Sequence, residues 1–453
     1  MMQLFIEIGQ IFVSTFMLAL VMPIFWIVLF LVYLQYRKQA TTEEKLYGRT
    51  FNRVGRQIFY SLILGIAGGL VASTILVFLG LSLEQIGLYF IWPVALLLLL
   101  INPRYLCFSY AGGIVAVLVL FARHILVPLF PVLADNIVIE YLLRVHIPAL
   151  LVLIGLLHLV EAILIYVGGH WGRSPIYLKK ESGEVVGAFS LQRFWPVPLV
   201  ALLVTVVAQP EIVGVTMPDW WPILEPMLEP GEGRTLQYML IPVAAGLGYG
   251  DIAYSSTPRE RTAYSARWLG VYSVVLLLVA VGAEYYPFLV LPGVLFAPVA
   301  HELLILYGKR EEESKPPRYR KSDEGILLMD VLPGTAASQA GLQQDDVIKA
   351  VNGEIPRDNR DLLEKINESY FMVLLEGSRN GETFSNVLKK RTREEADFRA
   401  SFQSRMRASG SSHSLLRSYV ELGMIPVPPP DSPVYLEMRR PDPLARFKRK
   451  RKK

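Results

Sequence analysis

Cysteine and, over most of the chain, charge are scarce. The 453 residues include one cysteine, Cys107, so no disulfide forms within the chain and a zinc site built from cysteines is excluded. Residues 1–310 hold 19 basic and 18 acidic residues, about 12% of that part, whereas residues 311–453 hold 26 and 22, about 34%. Soluble proteins average roughly 25% charged residues. The first part is therefore too apolar for a soluble domain.

The apolar part, residues 1–310, contains runs long enough to cross a bilayer as helices, which requires about 20 mostly apolar residues. The predicted spans are 11–34, 58–82, 86–101, 105–122, 147–167, 195–213, 236–250, 268–285 and 288–307. Four of them are short, Gly-rich or closely spaced, so seven or eight spans remain alternatives. The sequence thus predicts a polytopic α-helical membrane domain of about nine helices.

Basic residues in the loops predict the orientation of these spans. Fourteen Lys and Arg residues fall in loops on one predicted side and three on the other. Because basic loops stay in the cytoplasm, the bias places the N-terminus outside the cell. Everything after residue 307 is then cytoplasmic, and Lys309, Arg310 and the basic C-terminus favour the same side.

The charged third begins with a predicted linker, residues 311–321, and then changes pattern. Short strands are predicted at 325–331, 346–352, 370–375 and 383–388, with helices at 335–340 and 358–367. Thr335 is a suitable N-cap, and Asn352-Gly353 is a typical hairpin turn. Residues 322–392 are therefore predicted to form a small α+β domain.

The stretch from Val331 to Gly353, VLPGTAASQAGLQQDDVIKAVNG, resembles the signature of bacterial PDZ domains. Asp345 stands where that family usually has glycine, and Asp tolerates a left-handed backbone. The resemblance implies a groove that adds an extended peptide to a sheet edge. Its candidate residues are Gly325, Ile326, Leu327, Leu328, Leu362, Leu363 and Ile366. Since the loop 320–325 is charged where the family has an apolar stretch, a PDZ fold packed on its own membrane domain without a peptide remains an alternative.

A PDZ domain on a membrane protein raises the question of an intramembrane metalloprotease. Such chemistry requires His-Glu-x-x-His, with two imidazoles on zinc and the glutamate as base. The chain has His301-Glu302-Leu303-Leu304-Ile305, without the second histidine. No Ser-His-Asp arrangement or phosphate-binding loop is found either. We therefore expect no catalytic residues, no metal site and no cofactor.

His158 and Glu161 lie three residues apart inside the predicted span 147–167, on one helical face. Ionisable residues inside a membrane are costly and usually face the bundle interior. They are a candidate intramembrane polar pair. They either carry a proton or ligand, or pair with each other to hold helices together.

The C-terminal tail, residues 393–453, is predicted to be a Pro-containing, basic and largely disordered end. Residues 439–453 carry nine basic residues against one acidic residue. The candidate contacts with lipid or an acidic partner are Arg446, Lys448, Arg449, Lys450, Arg451, Lys452 and Lys453. On a membrane-tethered chain, membrane lipid is expected rather than nucleic acid.

The order of membrane domain, linker, PDZ domain and basic tail resembles the MinJ family of cell division topological determinants, as do the stretches His158–Ala162 and Val185–Trp195. The resemblance implies an adaptor at septum and poles that links a DivIVA-like scaffold to the MinD-like ATPase and MinC, which restrict FtsZ ring assembly. It implies no catalysis and no small-molecule substrate. Two alternatives remain: a transporter with an accessory PDZ domain, and a non-catalytic regulator of a membrane protease.

Overall fold

The computed structural model describes residues 2–437, except 51, 181, 209–214, 216, 225, 227, 229, 370 and 390–411. The helices are α1 (Met2–Val21), α2 (Pro23–Tyr47), α3 (Val54–Leu79), α4 (Leu88–Ile101), α5 (Phe108–Phe121), α6 (Val127–Leu129), α7 (Ile137–Leu143), α8 (Ile147–Gly168), α9 (Pro258–Tyr285), α10 (Val290–Ser314), α11 (Ala336–Gln339), α12 (Asn359–Glu368) and α13 (Ser412–Leu422). The strands are β1 (Ser174–Lys179), β2 (Val185–Val207), β3 (Thr235–Ala253), β4 (Ile326–Val331), β5 (Val347–Val351), β6 (Met372–Arg379), β7 (Glu382–Lys389), β8 (Met424–Pro426) and β9 (Leu436–Glu437).

Five of the described helical segments are long and apolar enough to cross a membrane, or six if one bent pair counts as a span. The five are Val54–Leu79, Phe108–Leu129, Ile147–Gly168, Pro258–Tyr285 and Pro287–Ser314. The predicted span 11–34 is divided between α1 and α2, which bend by 52° where Pro23 begins the second helix. The predicted span 86–101 contains α4, whose 14 residues reach about 21 Å at the usual rise per residue.

The predicted helical spans 195–213 and 236–250 are wrong: these runs contain the strands β2 and β3. The two strands pair antiparallel from Phe189 opposite Ala253 to Val207 opposite Thr235, in a four-stranded sheet of order β3-β2-β1-β9. Both faces of β2 are largely buried, so its apolar run does not alternate. A strand covered on both faces has the same composition as a buried helix, which explains the error.

The edge of β2 that faces α3 has few free backbone donors. Pro196 and Pro198 lie on this edge and have no N–H, while the Val200 N–H donates to Ser73 Oγ at 2.8 Å. The Phe194 N–H donates to Tyr36 Oη at 3.1 Å. Buried backbone donors without a partner are costly, so the prolines and hydroxyls let a sheet edge lie against an apolar helix.

Glycines in α3 allow the strand to approach the helix backbone. A Cβ added at Gly65 would lie 2.1 Å from the carbonyl oxygen of Pro196, and one at Gly69 would lie 2.1 Å from that of Pro198. No side chain fits at these distances, so β2 packs directly on the glycine face of α3.

The predicted linker 311–321 is not free. Its first residues continue α10, which ends the body, defined here as residues 2–314, and the residues after Ser314 pack against that body. Helix α10 extends to Ser314, and the Glu312 carboxylate accepts hydrogen bonds from the backbone N–H groups of residues 254–256 at 2.8–3.1 Å. Tyr319 is fully buried, and its carbonyl accepts a 2.8 Å hydrogen bond from the Gly187 N–H.

The C-terminal domain, residues 322–389, contributes α12 and four strands to a five-stranded sheet of order β7-β6-β5-β4-β8, whose fifth strand, β8, comes from a later segment of the chain. The predicted Thr335 cap is confirmed, since its side chain accepts from the Ser338 N–H. The predicted Asn352-Gly353 turn has φ of +51° and +84°, and Asp345 adopts the predicted left-handed backbone with φ of +71°.

The prediction of a largely disordered tail is wrong for residues 412–437. These residues form α13, β8 and β9, and most of their described side chains are buried. We call Ser412–Glu437 the bridging segment, because it packs on both the body and the C-terminal domain.

Candidate functional site

The predicted groove lies between β4 and α12. Gly325, which precedes β4, has φ of +150°, and an added Cβ would lie 2.4 Å from the carbonyl oxygen of Ile348. Leu327 packs against the body. The other predicted groove residues, Ile326, Leu328, Leu362, Leu363 and Ile366, belong to one buried apolar cluster. These side chains therefore form the core of the C-terminal domain. The part of the groove that can pair with a strand is the edge of β4 opposite β5.

That edge is occupied by the chain's own strand β8, which pairs antiparallel with β4. The Leu332 N–H donates to the Gly423 carbonyl at 2.8 Å, and the Val427 N–H donates to the Leu327 carbonyl at 2.9 Å. Adding an extended strand to a sheet edge is the way in which PDZ domains hold peptides. The bridging segment therefore fills the groove as a peptide would.

The chain continues beyond the strand that fills the groove. After Val427 the chain continues through Pro428, Pro429 and Pro430, past the charged loop 320–325. Asn359, at the start of α12, donates from Nδ2 to the Val427 carbonyl at 2.8 Å. A groove that holds an internal segment needs no pocket for a terminal carboxylate, which agrees with the charged composition of the loop.

The two faces of the bridging segment pack on different partners. Tyr419, Leu422 and Met424 join the apolar core of the C-terminal domain, whereas Ile425 and Val427 join the core of the body. All five side chains are buried. The segment therefore lies between the two domains and contributes side chains to the core of each.

Backbone hydrogen bonds continue the bridge to the body sheet. Strand β9 pairs in parallel with β1. The Tyr177 hydroxyl donates to the Pro426 carbonyl at 2.9 Å, and the Val185 N–H donates to the Pro430 carbonyl at 2.9 Å. One short segment thus supplies an edge strand to both sheets of the protein.

An ion pair between Arg173 and Asp330 also joins the body to the C-terminal domain, with Nη2 and Oδ1 2.8 Å apart. Burial raises the pKa of Asp330, and the Arg173 guanidinium opposes this shift. The charged form of Asp330 therefore has a net cost in the docked arrangement.

A cavity of about 570 Å³ adjoins the filled groove. Its charged lining residues are Lys321, Asp323, Glu324, Arg357, Asp358, Arg360 and Asp431. Acidic and basic side chains are mixed, so the lining indicates no preference for an anion or a cation.

The two imidazole nitrogens of His158 face groups other than Glu161, its predicted partner. His158 Nδ1 lies 2.7 Å from the Ile154 carbonyl, and its Nε2 lies 3.0 Å from Cys107 Sγ. His301 completes this group, and Glu161 does not belong to it. The transporter alternative required His158, Glu161 and His301 to converge; the two histidines share a cluster with Cys107, and Glu161 is not a member of that cluster.

The candidate lipid contacts of the tail, 446 and 448–453, lie outside the described residues.

Comparison with known proteins identifies division proteins as relatives. The chain is 22% identical over 229 residues to the cell division topological determinant MinJ of Bacillus subtilis (strain 168), covering 51% of this chain and 54% of that protein. It is 24% identical over 229 residues to the probable cell division topological determinant MinJ of Lacticaseibacillus paracasei, covering 49% and 56% respectively. The chain spans about half the length of these curated relatives and is MinJ-like over that region.

A shorter similarity links the chain to a protease. It is 28% identical over 71 residues to the serine protease HTRA4 of Mus musculus, which covers 15% of each chain. This partial match suggests a PDZ domain and shows no catalytic activity in this chain. No family model and no solved structure matches the chain.

Proposed function

We propose that this protein is a non-catalytic, multi-pass membrane adaptor that acts in division-site placement through a cytoplasmic PDZ domain. The similarity to curated cell division topological determinants carries the proposal. Five long apolar helices supply a membrane anchor, and the edge of β4 supplies a surface that pairs with an extended strand. Neither feature requires a substrate or a cofactor.

The partners in this proposal are a DivIVA-like scaffold at septum and poles and a MinD-like ATPase, which acts with MinC on FtsZ ring assembly. An adaptor between two such proteins needs one surface for each. The edge of β4 is one, and it accepts a partner segment when the bridging segment leaves the groove. The lipid-facing helices keep the complex at the membrane.

Strand exchange at β4 is the mechanism that we infer for regulated binding. Strand β8 has three residues and contributes few ladder hydrogen bonds, so a longer partner strand has more backbone contacts to offer. Release of the bridging segment also exposes the part of the groove that the Met424 side chain fills. The filled groove is then the resting state of the adaptor.

Fluorescence imaging of the full chain fused to a fluorescent protein tests the function in dividing cells. We expect enrichment at septa and poles and, after deletion of the gene, longer cells with misplaced FtsZ rings. Uniform membrane fluorescence together with normal cell length after deletion would contradict the adaptor role, and would favour the transporter or protease-regulator alternative.

A binding assay tests strand exchange separately. The probe is a fluorescent peptide of residues 423–430, added to the full chain in detergent. We expect binding at least about tenfold tighter to Met424→Asp than to wild type, because the charge expels the bridging segment from an apolar core. Met372, which is 60% exposed on β6 of the same domain and does not line this cavity, provides the control substitution Met372→Asp. Equal affinity for all three proteins would sink strand exchange and leave the division role intact.

A further inference from the structure

Three helical segments far apart in sequence bring Cys107, His158 and His301 together. Cys107 Sγ lies 3.0 Å from His158 Nε2 and 3.8 Å from His301 Nε2, and all three atoms lie within 4.8 Å of one another. His158 and His301 are 2% and 8% exposed, and Cys107 is partly buried. The cluster lies where the start of α5 meets α8 and α10.

The hydrogen bonds around His158 determine what its Nε2 can do. Because Nδ1 faces the Ile154 carbonyl at 2.7 Å, Nδ1 carries the proton and Nε2 presents a lone pair to Cys107. A second contact that fixes the tautomer in this way is typical of histidines that bind metals.

Without a metal, these groups make only weak contacts. The Cys107 S–H donates to His158 Nε2, and the sulfur is a weak acceptor for a His301 Nε2–H at 3.8 Å. Nδ1 of the buried His301 has no hydrogen-bond partner among the described residues, so no contact fixes its tautomer against metal binding through Nε2. A cation bound by a thiolate and two neutral imidazoles replaces these weak contacts with bonds to Sγ and to both Nε2 atoms.

Aromatic rings make up much of the surroundings of these three ligands. The rings of Tyr110 and Tyr272 stand edge-on to His301, at 5.2 and 5.7 Å between centroids. Glu302, next to His301, is bound by Arg104 and by the Tyr110 hydroxyl, so it is not a ligand in this arrangement. The site therefore has one sulfur ligand, two nitrogen ligands and a wall of aromatic rings.

We propose that Cys107, His158 and His301 bind a transition metal ion, with Zn²⁺ as the expected ion, and that the metal joins α5, α8 and α10. Thiolate and imidazole are the ligands that zinc prefers. Tetrahedral zinc with ordinary bond lengths places sulfur and nitrogen ligands about 3.5 Å apart, between the two distances found here. A water molecule or another exogenous ligand takes the fourth position. The site is independent of the division role.

Because Cys107 is the only thiol, its alkylation rate reports metal binding without any substitution. The full chain is purified in detergent, stripped with a chelator and labelled with a maleimide, with or without added Zn²⁺. We expect zinc to slow labelling at least about tenfold, since coordination removes the free thiolate. An equal labelling rate with and without zinc would overturn the proposal.

Metal analysis and cobalt substitution assign the ligands. Wild type should hold about one equivalent of metal, and bound Co²⁺ should show a thiolate charge-transfer band. Cys107→Ser should lose that band, and His158→Gln and His301→Gln should hold less than about a fifth of an equivalent. The exposed His124 provides the matched control, His124→Gln, which should behave as wild type. Full metal content and an unchanged cobalt spectrum in both folded cluster-histidine variants would also overturn the assignment.

Discussion

The two sheets in the described part of the chain present their strand edges to different surroundings. In the body, the edge of β2 lies against α3, where Pro196 and Pro198 have no N–H and Ser73 accepts the Val200 N–H. In the C-terminal domain, the edge of β4 keeps its donors and acceptors and pairs with β8. One edge is closed by side chains and prolines, and the other by a strand.

The two edges differ in whether the groups that close them can be replaced by water or by another strand. Open sheet edges are not tolerated in a hydrocarbon environment, so the edge beside an apolar helix must be closed permanently. An edge in the C-terminal domain can be solvated when its strand leaves, because water then satisfies the backbone groups. We therefore expect changes at the β2 edge to affect folding, and changes at the β4 edge to affect docking and binding.

The strongest test of the β2 edge is Gly69→Val. Since even a Cβ at this position would lie 2.1 Å from the Pro198 carbonyl oxygen, the side chain forces β2 away from α3. We expect little folded protein, measured as the yield of monodisperse full chain in detergent. Gly55 belongs to the same helix and has no atom within 4 Å of an added Cβ.

Gly55→Ala is therefore the matched control, with a gain of up to about 1 kcal/mol from helix propensity. If Gly69→Val gave wild-type yield and thermal stability, the close packing of β2 on α3 would be disproved.

At the β4 edge, Met424→Asp should release the bridging segment and leave the rest of the chain folded. Met424 is fully buried in the core of the C-terminal domain, so we expect a loss of about 2–5 kcal/mol in docking of the segment. Hydrogen exchange measures this as faster exchange of the Leu332 and Val427 amides, which β8 pairing protects. Met372→Asp, at an exposed position on β6, should leave these rates unchanged, and equal protection in both variants would contradict the expected release.

Local sequence signals predicted the C-terminal domain well, because its turns depend on single residues. Asn352-Gly353 and Asn380-Gly381 both have positive φ, as such hairpin dipeptides require. The strand and helix order from β4 to β7 follows from these turns and from short apolar runs. No long-range contact is needed for this part of the prediction.

The hairpin of β2 and β3 was mispredicted because length and hydropathy do not separate a long buried strand from a helix. The contrary signal lay in Pro196 and Pro198, two prolines that a helix interior does not tolerate without kinking. The bridging segment was missed for another reason. Its Pro-rich composition is typical of disorder, and its burial comes entirely from contacts with two distant domains.

The cluster of Cys107, His158 and His301 was also not predicted. Its members are separated by 51 and 143 positions, and only the packing of α5, α8 and α10 brings them together. We predicted a pair of His158 and Glu161 because they share a helical face. A shared face does not determine which residue of another helix His158 contacts.

A smaller effect should follow from Ser73→Ala at the β2 edge. The substitution leaves the buried Val200 N–H without its acceptor, which costs about 1–3 kcal/mol. Thermal unfolding of the full chain in detergent measures the loss. Thr74→Ala is the control, because Thr74 donates to the Leu70 carbonyl on the exposed side of α3 and should change stability by less than about 0.5 kcal/mol. Similar losses in the two variants would mean that Ser73 does not close the β2 edge.

The smallest effect concerns the pH dependence of docking at Asp330. Because its pKa is raised in the docked state, docking is favoured below the ordinary Asp pKa of about 3.9 and weakens as pH rises through the raised value. Asp330→Asn should remove this pH step, and since the amide is neutral at every pH and the pair with the one-third exposed Arg173 contributes at most about 1 kcal/mol, docking near pH 7 should be no weaker than in wild type. Hydrogen exchange of the Val185 amide, which donates to the Pro430 carbonyl of the bridging segment, measures docking at each pH. A step of the same size in Asp330→Asn would assign the pH dependence to another group and leave the strand contacts as the main determinant of docking.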